Sequence, residues 1–106
     1  VPIIIAKKSM EAGTEDYYED SFIRSPNTVI TLYVPRKHLK KKDEVLIVDD
    51  IIRTGKTVRC LINIVRKARA SISGIMTLVT IGDDWKEKID LPVESILQIS
   101  TAKRIM

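Results

Sequence analysis

Residues 45–58 read VLIVDDIIRTGKTV. Four aliphatic residues, Val45 to Val48, run into two adjacent carboxylates, Asp49 and Asp50, and Thr-Gly-Lys-Thr follows at 54–57. A short unbroken apolar run predicts a strand buried in a sheet. From Thr57 the period changes. Val58, Leu61, Ile62 and Val65 recur at i, i+3, i+4 and i+7, the apolar stripe of a helix. The segment is therefore a strand, a turn and a helix. In open α/β sheets the loop after such a strand lies at the carboxyl edge, where ligands bind. A helix N-terminus offers free N–H groups and the positive end of the helix dipole, which suits phosphate. Gly55 permits close backbone approach. Thr54 and Thr57 add hydroxyls, and Lys56 adds positive charge. Asp49 and Asp50 can accept hydrogen bonds from sugar hydroxyls or hold a hydrated Mg²⁺. The string suits a sugar phosphate, with phosphate on the turn and ribose on the acids. A Walker A loop is excluded, because Asp50 stands where that motif requires glycine.

Working outward, residues 2–6 predict a short buried strand with Lys7 and Lys8 at its end. Residues 9–27 mix acids, Gly, Pro and Ser without a period and predict a long flexible loop. TVITLYV at 28–34 predicts a strand, followed by the basic connection RKHLKKKDE. After the helix come a strand at about 74–81, a loop containing Trp85, and a last strand VESILQIS. Uninterrupted apolar strands beside an amphipathic helix predict an α/β fold, a mostly parallel sheet flanked by helices.

At 106 residues the chain reads as one domain, 1–106. Aromatic residues make up only 5%, so aliphatic side chains must build the core. The net charge of +4 leans towards anionic partners, although base rates favour an ordinary basic surface. The single cysteine, Cys60, excludes an internal disulfide, fits a reducing compartment and falls within the helical pattern as an inert buried thiol. No stretch approaches the ~20 apolar residues of a membrane helix, and no signal peptide is visible. A cytoplasmic protein without a membrane partner is expected. The opening VPIIIAKK lacks Met and begins inside a predicted strand, as a fragment or a processed chain would.

Residues 45–58 resemble the phosphoribosyl-pyrophosphate motif of the type I phosphoribosyltransferases: an apolar strand, two acids, three residues, then Thr-Gly-x-Thr. The resemblance covers most of the chain, and TLYVPRKHLKKKDEVLIVDD is most similar to the purine members, the xanthine and adenine transferases. It implies transfer of phosphoribose from phosphoribosyl pyrophosphate to a purine base, with release of pyrophosphate, in nucleotide salvage. Asp49 and Asp50 would hold the ribose hydroxyls, directly or through Mg²⁺. Arg53, Thr54, Gly55, Lys56 and Thr57 would wrap the 5′-phosphate, mostly through backbone amides. Lys7 and Lys8 would contact pyrophosphate, the loop at 9–27 would close as a lid, and the segment 83–106 would approach the nucleobase, with Trp85 as a stacking candidate. A homodimer is implied.

Two departures stand out. No segment of this chain matches the family's upstream pyrophosphate loop. Arg53 stands where the hypoxanthine–guanine enzymes carry an aspartate, and a permanently protonated guanidinium cannot act as a base. The alternative is a regulator of the same fold that senses phosphoribosyl pyrophosphate or a nucleotide, the one case in which nucleic acid would be a partner. His38, in the basic connection, has no catalytic partner in sequence and reads as solvated.

Overall fold

The computed structural model describes residues 3–10 and 16–100. Three strands form a wholly parallel sheet in the order β3-β4-β5: β3 at Glu44–Ile52, β4 at Ser71–Ile81 and β5 at Val93–Ile99. The helix α1, Lys56–Lys67, crosses from β3 to β4. A separate antiparallel pair, β1 at Tyr17–Ser25 and β2 at Thr28–Pro35, makes a hairpin. The helix packs against the sheet on one side and the hairpin on the other.

This double contact explains the helix's burial. The expected stripe was Val58, Leu61, Ile62 and Val65. The buried residues are Val58, Cys60, Ile62, Ile64 and Val65, with Leu61 partly covered. A helix packed on two sides buries more than one stripe. Ile62 and Ile64 are almost fully enclosed, and each such side chain contributes roughly 1.5–3 kcal/mol by burial.

Three expectations are corrected. Residues 17–25, read as loop, form β1. Their alternation is real, with Tyr18, Asp20 and Phe22 turned inward, but the inward Asp20 hides it from a hydrophobicity count. The strand at 28–34 pairs with β1 and stands outside the parallel sheet. Ile3 to Ala6 form no strand, and Lys7 forms an isolated bridge to Tyr33. Pro2 and residues 11–15 of the expected lid lie outside the described residues.

The helix covers one face of the sheet. On the opposite face Leu46, Val48, Met76, Leu78 and Ile96 are exposed, from 46% to 79%. No helix among the described residues is long and apolar enough to cross a membrane.

Candidate active site

Strand β3 runs past the acids to Ile52, because β4 continues alongside with Ile51 opposite Val79 and Ile52 opposite Thr80. Asp49 and Asp50 are thus strand residues, and neighbours on a strand leave on opposite faces. Asp49 shares the helix-facing side with Val45 and Ile47 and is half-buried. Asp50 follows Leu46 and Val48 on the open side. The Thr77 hydroxyl donates to the Asp50 carbonyl at 2.9 Å and ties the acid pair to β4.

The turn then builds a shallow depression of about 120 Å³, lined by Asp49 and by residues 51–58. Asp50 does not line it. Asp49 accepts the Asp50 N–H at 2.8 Å. Burial pushes the Asp49 carboxyl above the ordinary aspartate range; the Asp50 N–H bond opposes that rise and the Asp50 charge adds to it. A carboxylate held half out of water has a reason to seek hydroxyl donors from a ligand.

Gly55 ends the turn at φ 81° and begins the helix without any side-chain cap. A Cβ there would lie 3.2 Å from both Cα and Cβ of Trp85. Only glycine permits both the positive φ and this approach. The first N–H groups of α1 therefore face the depression uncapped, with only a long 3.4 Å contact from the Lys56 N–H to the Thr54 hydroxyl. No acid occupies the first helical turn to compete for them. Such a terminus binds anions. Arg53, Thr54 and Thr57 are exposed around it.

Trp85 stands behind this turn. Its indole N–H donates to the Gly82 carbonyl at 2.9 Å, and its backbone supports Gly55. The sequence offered no sign of this buttress, since the contact joins positions thirty apart. Thr77 was also missed, although a hydroxyl within the apolar run GIMTLVTI was a usable signal.

Lys7 and Lys8 are not brought to the turn. Lys7 pairs through its backbone with Tyr33, whose strand partner Glu19 meets Lys67 at the far end of α1. Over the 12-residue helix that separation is on the order of 16 Å. Cys60 is buried, donates to the Asp20 carbonyl at 3.3 Å, and has its thiol pushed up to about 11, chiefly by burial. His38 is exposed.

No group of three or more His, Cys, Asp or Glu among the described residues could hold a metal. Since Asp49 and Asp50 diverge, a hydrated Mg²⁺ would be held by one of these carboxylates at a time, which suits this ion better than a protein-built cage.

The phosphoribosyl transferase domain family matches residues 7–105. The xanthine phosphoribosyltransferase of Lactobacillus gasseri is 28% identical over 94% of this chain and 55% of its own length. That of Pseudomonas paraeruginosa is 34% identical over 71% of this chain and 40% of its own. The adenine phosphoribosyltransferase of Thermoanaerobacter pseudethanolicus superposes with a TM-score of 0.79 at 17% identity, over 91% of this chain and 56% of that one. The chain thus spans about half the length of the curated relatives it matches. With the matched family covering nearly every residue and the strand–turn–helix site lying inside it, this chain belongs to the phosphoribosyl transferase domain family.

Proposed function

We propose that the chain carries the sugar-phosphate half of a purine phosphoribosyltransferase, transferring phosphoribose from phosphoribosyl pyrophosphate to a purine with loss of pyrophosphate. The observation that carries this reading is the uncapped start of α1 and the half-buried Asp49 lining one depression. Backbone N–H groups from Thr54 to Thr57 take the 5′-phosphate, and the helix dipole favours its charge. Asp49 accepts a ribose hydroxyl at the turn, and Asp50 reaches the sugar from the open side of the sheet. Both carboxylates stabilise positive charge developing on the ribose as pyrophosphate departs. Mg²⁺, when bound, neutralises the leaving pyrophosphate. The hairpin lies beside the turn and serves as the cover that excludes water. The xanthine and adenine names among the relatives favour a purine acceptor. The pyrophosphate role of Lys7 and Lys8 requires the segment before β1 to move towards the turn. Trp85 borders the turn through its backbone, its ring is half-buried against the core and the Lys86 ammonium lies over it at 5.6 Å, so a stacking role would require Lys86 to move.

The test is binding and turnover together. Titration calorimetry with phosphoribosyl pyrophosphate and Mg²⁺ should show saturable binding, and at least one of adenine, hypoxanthine, guanine or xanthine should yield its nucleotide. Binding without product from any of the four would favour the signal-sensing regulator. Absence of binding would remove the site assignment.

A further inference from the structure

Four side chains of α1 spaced at i, i+4, i+7 and i+11 form one stripe, and all four donate to β1. The Lys56 ammonium donates to the Ile23 carbonyl at 2.8 Å. The Cys60 thiol donates to the Asp20 carbonyl. The Asn63 amide donates to the Asp20 carboxylate at 3.0 Å. The Lys67 ammonium donates to the Glu19 carbonyl and lies 3.5 Å from the same carboxylate. Desolvation opposes ionisation of Asp20, but Asn63 and Lys67 outweigh it and hold its carboxyl below the ordinary range. The Glu19 and Ile23 carbonyls lie on the free edge of β1, so Lys67 and Lys56 occupy points where a further strand would otherwise pair. The order of contacts fixes direction: the hairpin base meets the C-terminal end of α1, and its tip meets the N-terminal end. The tip is thus held beside the phosphate turn by the residue that also begins the helix.

We propose that Lys56 is a positioning residue: its ammonium pins the hairpin tip beside the phosphate turn and stays there when the turn is filled, leaving the phosphate only the Lys56 backbone N–H. This rests on the sugar-phosphate reading of the turn. It changes the role expected of Lys56, since a Lys after the Gly of such a turn would by charge alone be assigned to the phosphate. One residue then joins the phosphate turn and the cover over it, through opposite ends of its own structure.

Amide hydrogen exchange read residue by residue on the whole chain tests this. Lys56→Met should speed exchange of the Phe22–Arg24 amides about tenfold, the scale of one lost charge-assisted hydrogen bond. Amides of β3 to β5 should be unmoved, and Lys56→Arg should restore most of the protection. Saturating ribose 5-phosphate added to the unaltered chain should leave tip protection intact or increase it. Unchanged exchange in Lys56→Met would overturn the tether. Loss of tip protection when ribose 5-phosphate binds would show that the ammonium has moved to the ligand, which overturns the proposal equally. If ribose 5-phosphate fails to bind while Lys56→Met still loosens the tip, the sugar-phosphate reading and the filled-turn clause built on it fall together, and the tether alone stands.

Discussion

The two ends of α1 solve the same problem in opposite ways. At the C-terminal end, orphan carbonyls are closed off: the Arg69 N–H bonds the Arg66 carbonyl at 3.0 Å and the Ala70 N–H bonds the Val65 carbonyl at 3.2 Å. This is a Schellman closure. It is made although position 69 holds arginine at φ 58°, where glycine would be unstrained. Arg66 and Lys67 complement the dipole there. At the N-terminal end only a long 3.4 Å bond from the Lys56 N–H to the Thr54 hydroxyl closes an amide: Gly55 offers no cap, the first turn has no acid, and the depression faces the remaining amides. Glycine is used where the backbone must be bare, and ordinary side chains are accepted where only stability is at stake. An end left unsatisfied beside a half-buried carboxylate is the kind of arrangement that trades stability of the unliganded fold for ligand binding.

The sharpest way to break this comparison is to put a side chain on the bare turn. Gly55→Ala adds an unfavourable φ and a contact with Trp85, and should destabilise the chain by about 2–3 kcal/mol. Urea unfolding measures it, and a change below about 0.5 kcal/mol would mean that neither the positive φ nor the approach of Trp85 constrains this position.

Asp49→Asn should weaken ribose 5-phosphate binding about tenfold, equivalent to roughly 1.4 kcal/mol, and more than Asp50→Asn, whose side chain leaves on the other face. Its effect on the unliganded fold has the opposite sign. The Asp49 carboxyl is raised in the folded chain, so the native state binds the proton more tightly than the unfolded one. The stability that this preference confers is fully present below the unfolded pKa and is lost as pH rises through the folded value. Removing the charge should therefore raise the melting temperature at pH 7, and the gain should fade as pH falls through the aspartate range. A melting temperature lowered at pH 7 would contradict the burial argument.

The smallest effect belongs to the closed end. Arg69→Gly relieves the positive φ and should stabilise by about 0.5–1 kcal/mol, with ribose 5-phosphate affinity unchanged in calorimetry. A changed affinity would show that the two ends are not independent.

How much of this was legible in the sequence depended on whether neighbours along the chain were also neighbours in space. The motif strand, its turn and the helix start were readable because their signals are local: an aliphatic run, a glycine, a change of period. β1 was not, because an inward Asp20 breaks the alternation and is tolerated only through Asn63 and Lys67 of α1. The stripe of Lys56, Cys60, Asn63 and Lys67 carries a helical period, yet only the hairpin's position gives it a meaning. The divergence of Asp49 and Asp50 follows from pairing with β4, which prolongs β3 beyond its apolar run.

Residue types and spacing by themselves determined the α/β class and the strand–turn–helix segment, because each rests on local backbone preference and on a short ordered motif, and it was the resemblance of that motif that pointed to the family. Tertiary structure alone decided which acid lines the depression, what stands behind Gly55 and where Lys56 points. Those depend on strand pairing and on contacts such as Gly55 with Trp85 and Lys56 with Ile23, and no periodicity in a chain encodes which distant residues will meet.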